Sequence, residues 1–372
     1  MAASLVLNGA KTSSRIAPAT RTRIVEAASR LRYRPNAAAR ALAERRMNTL
    51  GVAAVVDVGE LDHYFLGVFN GILEAAARHG QNTTVFTLRN WQQDAVRLPG
   101  LCDGRIDGMI LIAPRLSREA IRALPDHTPF AALHPNLPIP GAINLESDEE
   151  AGACELVRQM IARGHRRILH LTGNRGLAGA ERRIRGYRRA LRAAGIRFER
   201  SLLVDGGFSM GEGRDALRRW LRQAAGRPLP QAIFCANDSG AIGALEALAE
   251  VGLRVPDDVS LAGFDDSIAA RTTIPQLTSV RQPLHAMGSQ AVEALLKRLA
   301  HRPDETAAGL QETIVFPTEI VWRASTGWRD GSESSSGKLN RLAAPVHKTR
   351  GCRSQIGAAF GCGISGAGKH AG

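Results

Sequence analysis

The chain has 372 residues, more than one ordinary domain holds, so its length predicts two or three globular units. Hydrophobic residues make up 44% and charged residues 23%, and no apolar run approaches the roughly 20 residues that a membrane-spanning helix needs. The five cysteines form no C-x-x-C pair and offer neither a disulfide framework nor a zinc site. Because the N-terminus also lacks the features of a secretory signal, we expect a soluble cytoplasmic protein without a membrane partner.

The net charge of +14 is unevenly distributed along the chain. Residues 1–48 carry ten Lys/Arg against two Asp/Glu, a net +8, and residues 328–372 carry seven against two, a net +5. The 279 residues between them carry 32 against 31 and are nearly neutral. A short basic segment joined to a neutral body is typical of a DNA-binding region attached to a sensor, with a generally Arg-rich composition as the alternative.

The basic segment at residues 1–48 has the start and stop signals of short helices. Gly9 ends a first apolar stretch, because glycine readily adopts the left-handed conformation found at helix ends. Pro18 suits the first turn of a second helix, which should end before Pro35 because the residue preceding a proline disfavours helical geometry. Asn36 can cap a third, short helix.

Four motifs in and just after this segment occur at residues 4–9, 20–28, 33–42 and 48–52. In order and spacing they resemble the N-terminal region of the lactose/galactose-repressor (LacI/GalR) family. The resemblance implies a helix-turn-helix that reads the major groove of operator DNA, followed by a hinge helix that enters the minor groove.

The resemblance also implies a set of DNA contacts. Leu42 matches the leucine that the family wedges between base pairs, and apolar side chains can indeed unstack a base step and bend DNA. The alternative is that Leu42 simply packs within a linker helix. The full predicted set is Ser4, Leu5, Asn8, Tyr33, Asn36, Ala39, Arg40 and Leu42.

The sequence departs from the family at its start. Only seven residues precede Asn8, whereas a helix-turn-helix needs roughly 20 residues before that point. We therefore expect either a translation start upstream of Met1 or an incomplete recognition helix. In the second case Leu5 could touch a thymine methyl group but could not make the bidentate hydrogen bonds that distinguish guanine or adenine. The alternative function is then a ligand-binding sensor without sequence-specific DNA binding.

From Leu50 onward, short apolar strands alternate with amphipathic helices. Such regular alternation predicts an α/β fold of doubly wound parallel sheets, covered by helices on both faces. Strands are predicted at residues 50–56, 82–87, 109–113, 130–133, 168–172, 202–204, 232–236 and 259–262, and helices near 65–79, 117–124, 149–163, 181–194, 211–225 and 239–251.

Five motifs in this body extend the resemblance to about residue 326. The family's sensor is similar to periplasmic sugar-binding proteins, so the resemblance implies two lobes and three crossings of the chain between them. Lobe one is expected at 49–146 and 278–309, and lobe two at 147–277 and 310–326. The motifs lie at residues 164–168, 236–238, 252–260, 263–266 and 277–282.

The C-terminal residues 327–372 are rich in glycine and serine and carry no heptad repeat. Such a segment cannot bury enough apolar surface to fold, so we expect a disordered basic tail. Without a coiled coil in the tail, a homodimer is the expected assembly, because two-fold operators mirror two-fold proteins.

Two lobes of parallel sheet predict a shared ligand cleft at the carboxyl ends of their strands. A polyhydroxylated ligand needs guanidinium, carboxylate and amide partners and an apolar face. Arg183 resembles the family's effector-binding arginine, while Asn237 and Asp265 follow predicted strands. The predicted effector contacts are Tyr64, Phe65, Arg183, Phe208, Asn237, Asp265 and Gln282.

Some of these positions have structural alternatives. Phe65 is equally suited to the core of a lobe. Asp238 and Asp266, next to two predicted contacts, can cap helices instead of binding ligand.

Motifs for enzymatic or nucleotide chemistry are incomplete. Glycines at 173, 176 and 179 do not match the dinucleotide fingerprint, and the G-x-x-x-x-G-K run at 363–369 is followed by His370 instead of Ser or Thr. We therefore expect a repressor, not an enzyme, without cofactor or metal. A small ligand, by resemblance a sugar or sugar derivative, is expected to shift the population of lobe arrangements and so control operator affinity.

Overall fold

The computed structural model describes five stretches of the chain, namely residues 6–7, 16–33, 46–56, 63–300 and 312–328. Most of the predicted DNA contacts therefore lie outside the described residues. Tyr33 is described and is exposed just after the first helix. The others, outside these stretches, are Ser4, Leu5, Asn8, Asn36, Ala39, Arg40 and Leu42.

Helices and strands alternate along the described body. In chain order the first elements are α1 (Pro18–Arg30), β1 (Thr49–Val55), α2 (His63–Arg78), β2 (Asn82–Leu88), α3 (Trp91–Asp94), α4 (Leu98–Leu101), β3 (Gly108–Ile112), α5 (Arg118–Arg122), β4 (Phe130–Leu133), β5 (Ile143–Ser147), α6 (Glu149–Ala162), β6 (Ile168–Thr172) and α7 (Ala178–Ala193). They are followed by β7 (Leu203–Asp205), α8 (Met210–Gln223), β8 (Ala232–Cys235), α9 (Asp238–Glu250), β9 (Ser260–Asp265), α10 (Ile268–Thr272), β10 (Thr278–Arg281), α11 (Leu284–Ala300), β11 (Glu312–Phe316) and β12 (Glu319–Val321).

Helix α1 begins as its sequence predicts. Pro18 occupies the first turn, and Ala17 precedes it as an N-cap without a side-chain hydrogen bond. The helix ends at Arg30, a few residues earlier than predicted, and its apolar Val25 and the following Leu31 are exposed.

Two six-stranded sheets confirm the predicted α/β fold with two lobes. The sheet of lobe one has the order β11-β5-β4-β3-β1-β2 and is parallel throughout. The sheet of lobe two has the order β12-β10-β9-β8-β6-β7, with β12 as its antiparallel edge. Strands such as β3 and β6 are buried along their whole length because other elements cover both of their faces.

The chain crosses between the lobes after β5, β10 and β11, and two of these crossings differ from the prediction. The predicted boundary at residue 278 is wrong because β10 pairs with β9 and buries Val280 in lobe two. The boundary at residue 310 is wrong because β11 pairs with β5 in lobe one. Each of these two crossings falls next to a proline, Pro283 or Pro317, which has no N–H to continue the ladder.

Helices α2 and α11 pack together over one face of lobe one and require glycine where they cross. A methyl group at Gly71 would lie 2.0 Å from the carbonyl oxygen of His285, and one at Gly288 would lie 2.1 Å from that of Val68. Neither distance is compatible with a side chain, so glycine sets how closely the two backbones approach.

Candidate functional site

A cleft that opens to solvent lies between the lobes, a place where proteins of two lobes commonly bind small molecules. It lies at the carboxyl ends of the strands, where parallel sheets expose loop side chains and helix N-termini. Its lining comprises Tyr64, Ala113, Pro114, Arg115, His134, Pro135 and Asn136 from lobe one, and Glu149, Leu177, Ala178, Gly179, Arg182, Arg183, Phe208, Asn237 and Asp265 from lobe two.

Arg183 of α7 occupies the lobe-two wall of the cleft and is only 5% exposed. Its guanidinium lies over the ring of Phe264, with the Cζ atom 4.1 Å from the ring centroid, and 5.8 Å from that of Phe208. It donates to the Glu149 carboxylate at 2.8 Å and to the backbone carbonyl of Ala236. Its buried Nε–H has no hydrogen-bond partner among the described residues, so a ligand oxygen can satisfy a donor that the protein leaves unpaired.

Glu149, the first residue of α6, balances the charges of this wall. Its carboxylate accepts from Arg183 at 2.8 Å and from Arg182 at 3.2 Å, and Arg182 also donates to Glu146 at 2.6 Å. Burial by itself raises the pKa of Glu149, but the charges of Arg183 and Arg182 hold the pKa below its usual value. The buried cations and carboxylates therefore form a matched network.

Asp265 enters the cleft from the end of β9 through an unusual backbone conformation. Its φ is 109° and that of Asp266 is 52°, both in the region that favours glycine. Side-chain bonds hold this turn: Gln282 donates to Asp265 at 2.6 Å, Arg281 donates to Asp266 at 2.8 Å, and Arg323 also donates to Asp266. Such strain costs about 1–3 kcal/mol per residue and persists only where the surroundings enforce it.

Asn237 combines two roles at the start of α9. Its side-chain oxygen caps the helix by accepting from the Gly240 N–H at 2.8 Å, and its amide donates to the Phe208 carbonyl at 2.7 Å. Gly173 lets the Phe208 ring approach, because a methyl group there would lie 2.2 Å from the ring. Asn237 and Gly173 thus place an aromatic face in the cleft.

His134 follows β4 and bonds to two side chains of its own lobe. Its Nδ1 lies 2.7 Å from the Tyr64 hydroxyl, and its Nε2 lies 3.0 Å from the Ser147 hydroxyl. Burial lowers the pKa of His134 to about 4, and the imidazole is therefore neutral at physiological pH. The sequence rule that singled out Asn237, a polar residue directly after a buried strand, could also have identified His134.

Asn136 and Arg182 make direct contacts between the lobes. The Asn136 side-chain oxygen accepts from the backbone N–H of Ala178 at 2.7 Å, and Arg182 reaches across to Glu146 of β5. Because α7 begins at Ala178, the first contact satisfies a helix N-terminal donor that has no partner within its own helix.

The structure brings five of the seven predicted effector contacts to the cleft lining, namely Tyr64, Arg183, Phe208, Asn237 and Asp265. Gln282 is buried behind Asp265 and supports it from outside the lining. The prediction is wrong for Phe65, which is 5% exposed and stacks on Phe69 in the core of lobe one. Phe65 is adjacent to Tyr64 on a helix and therefore faces another direction.

The expectation that Asp238 and Asp266 cap helices is also wrong, because neither side chain caps a helix. The cap of α9 is Asn237. Asp238 is buried and accepts from the Ser279 hydroxyl at 2.6 Å and from the Ser267 N–H at 2.7 Å. The cleft contacts that sequence reasoning missed are Arg115, His134, Asn136, Glu149 and Arg182.

None of the helices in the described part of the chain combines the length and apolar character needed to span a bilayer. The same residues contain no group of three or more His, Cys, Asp or Glu side chains arranged to hold a metal ion.

Known proteins resemble this chain over most of its length. Residues 157–326 match the periplasmic binding protein-like domain. The transcriptional regulator CelR of Thermobifida fusca is 31% identical over 322 residues, which cover 85% of this chain and 93% of CelR. GalR of Escherichia coli is 32% identical over 318 residues, which cover 84% of this chain and 89% of GalR.

Solved structures agree with the sequence relatives. A complex of CelR with cellobiose superimposes with a TM-score of 0.66 at 29% identity, covering 87% of this chain and 94% of that one. The Lac repressor dimer bound to operator and an anti-inducer gives a TM-score of 0.74 at 25% identity over the same shares of the two chains. These relatives are transcriptional regulators, not enzymes. This chain therefore belongs to the LacI/GalR family of transcriptional regulators.

Proposed function

We propose that this chain is a transcriptional repressor whose affinity for operator DNA depends on a small, uncharged polyhydroxylated ligand in the interlobe cleft. The observation that carries the proposal is the buried Arg183, whose Nε–H faces no acceptor among the described residues although the side chain lines the cleft. Asp265 lines the same cleft in a strained conformation. A donor and an acceptor beside the Phe208 ring match the alternating hydroxyls and apolar faces of a sugar.

The charge balance of the cleft favours an uncharged ligand. Arg182 and Arg183 are already paired with the Glu149 carboxylate. Burial lowers the pKa of Arg115, and the charge of Glu212 acts against that shift. A phosphate or carboxylate on the ligand would have to compete with acidic groups that these cations already face. The cellobiose complex of CelR supports a carbohydrate.

The contacts between lobes supply a route from ligand to DNA. The lobes can be arranged with the Asn136–Ala178 bond intact or broken. A ligand that bridges Asp265 and Tyr64 binds these two arrangements with different affinities. It would therefore shift the population of those arrangements, and with it the geometry of the N-terminal segment. As in the operator-bound Lac repressor, we expect a dimer to present two DNA-binding segments to one operator.

The competing function is a sensor without sequence-specific DNA binding. Selection from a random duplex library separates the two, since a repressor enriches one site above its salt-sensitive nonspecific background. Leu42→Ala is expected to weaken that enrichment if Leu42 enters the minor groove.

The ligand proposal is tested by calorimetry with a panel of glucose, galactose, ribose, cellobiose and lactose. At least one sugar should bind the unmodified protein, and Arg183→Ala and the isosteric Asp265→Asn should each weaken that binding by tenfold or more. Arg185→Ala is the matched control, because Arg185 lies on the same helix but is exposed and pairs with Glu150. Full affinity in both cleft variants would refute the site.

A further inference from the structure

A continuous hydrogen-bonded chain of five side chains runs from one wall of the cleft to the other. The Tyr64 hydroxyl lies 2.7 Å from His134 Nδ1, and His134 Nε2 lies 3.0 Å from the Ser147 hydroxyl. Ser147 donates to the Gln282 carbonyl oxygen, and the Gln282 amide donates to Asp265 at 2.6 Å. We call these five residues the relay.

The relay has one direction, and Asp265 sets it. A carboxylate can only accept, so Gln282 must turn its NH₂ toward Asp265 and its oxygen toward Ser147. Ser147 therefore donates its single proton to Gln282, and its oxygen must accept from His134 Nε2–H. Turning the Gln282 amide over would place two acceptor oxygens against each other, which excludes the opposite direction.

The direction of the relay then determines the tautomer of His134. Since Nε2 carries the proton, Nδ1 is an acceptor, and the Tyr64 hydroxyl must donate to it. Burial keeps the ring neutral, because it lowers the pKa of His134 to about 4 against the attraction of Glu149. The phenolic proton of Tyr64 is therefore committed to His134, although Tyr64 lines the cleft.

We propose that the relay fixes Tyr64 as a hydrogen-bond acceptor, so that the cleft selects a ligand carrying a hydroxyl donor at this point. Asp265 likewise can only accept, so a ligand group that bonds to either end of the relay must be a donor. The inference rests on the proposed function and names the feature of the ligand that the site distinguishes. His134, Ser147 and Gln282 act as positioning residues that set the polarity of Tyr64.

The arrangement predicts which analogues are rejected. A keto, methyl ether or fluoro group at the same position offers lone pairs only and would face the lone pairs of Tyr64. Lone pairs that oppose each other inside the cleft lower affinity by about ten- to a hundredfold. A cleft in which the Tyr64 hydroxyl could rotate freely would accept both kinds of group.

The first test requires no ligand. In protein labelled with ¹⁵N-histidine, long-range ¹H–¹⁵N correlation at pH 7 should show His134 as the Nε2–H tautomer, with its signals assigned from their loss in His134→Gln. His127→Gln is the matched control for the assignment, because His127 bonds to the Cys102 carbonyl elsewhere in lobe one. Gln282→Met should convert the signal to a tautomer mixture. An Nδ1–H tautomer or an imidazolium in the unmodified protein would overturn the relay.

The second test uses the sugar of the panel that binds tightest, with its monodeoxy, deoxyfluoro and O-methyl derivatives. At one hydroxyl position of the sugar, each of the three derivatives should bind the unmodified protein with a Kd at least tenfold higher than that of the parent sugar. His134→Gln presents an amide that can donate to Tyr64, which should reduce this penalty for the fluoro and O-methyl derivatives. Tyr64→Phe should remove most of it. If the ratios of the Kd values of the derivatives to that of the parent sugar were unchanged in both variants, the inference would be overturned and the proposed function would stand. If no sugar bound at all, the proposed function would be refuted, and the tautomer measurement would still test the relay.

Discussion

The Asn136 side-chain oxygen in lobe one accepts a hydrogen bond from the backbone N–H of Ala178 in lobe two at 2.7 Å. Ala178 begins the helix that carries Arg182 and Arg183, so this bond ties the loop after β4 in one lobe to the ligand wall of the other. The cleft is therefore shaped by how the lobes meet as well as by the side chains that line it.

Removal of this bond should open the lobes. Asn136→Ala is expected to weaken binding of the panel sugar by about five- to tenfold, in line with the loss of one net hydrogen bond. Small-angle scattering should show a larger radius of gyration without sugar. An unchanged radius together with an unchanged Kd would show that the Asn136–Ala178 bond does not contribute to closure.

The buried ion pair between Arg183 and Glu149 should matter far more for folding than an exposed pair on α6. Glu149→Gln is expected to lower the free energy of unfolding by about 3 kcal/mol, because it leaves a buried guanidinium without its counter-charge. Glu155→Gln, which removes the partner of the exposed Arg158, is expected to cost less than about 1 kcal/mol. Urea denaturation measures both. Equal losses in the two variants would contradict the burial argument.

Two buried imidazoles predict that the protein loses stability as the pH falls below about 6.5, the usual pKa of histidine. Burial lowers the pKa of His134 to about 4 and that of His170 to about 3, so the unfolded chain binds more protons throughout this range. Their contribution is complete above about pH 6.5 and declines on acidification, by up to about 1.4 kcal/mol per pH unit for each ring.

His170 allows this acid dependence to be tested away from the cleft. Its ring stacks on Phe234 with the centroids 4.3 Å apart, so His170→Phe retains an aromatic ring but cannot titrate. Melting temperatures between pH 7 and 4.5 should fall less steeply in this variant. The same slope as in the unmodified protein would rule out His170 as a source of the acid sensitivity.

The glycine contact between α2 and α11 should tolerate no side chain. Gly288→Ala places a methyl group against the Val68 carbonyl and is expected to destabilise the protein by about 1–3 kcal/mol or more. Gly211→Ala is the matched control: it lies in α8 with no atom near the added methyl group, and should stabilise by about 0.5–1 kcal/mol. Thermal unfolding of both variants checks the difference, and a neutral Gly288→Ala would be the contradictory result.

Much of the fold could be predicted because strand and helix periods are local. The buried runs at β3 and β6 and the amphipathic helices between them needed only the sequence nearby. The boundaries near residues 278 and 310 were misplaced because a strand's lobe depends on its pairing partner, which is distant in sequence. The pairings of β10 with β9 and of β11 with β5 are contacts of that kind.

The candidate site could be predicted only in part. Asn237 and Asp265 could be predicted because Asn237 follows the buried strand β8 and Asp265 ends the buried strand β9. Phe65 was misassigned because periodicity shows that a side chain is buried but does not distinguish a core from a cleft wall. Glu149 and His134 were missed because their significance arises from partners on other elements, Arg183 and Tyr64 among them.

Control of operator binding through the cleft can be measured by a fluorescence anisotropy titration of a selected operator duplex, with and without the sugar that occupies the cleft. Saturating sugar should change the operator Kd of the unmodified protein by at least fivefold. Asp265→Asn should bind the operator normally but lose this response. If the bound sugar left operator affinity unchanged, control of DNA binding through the interlobe cleft would be contradicted.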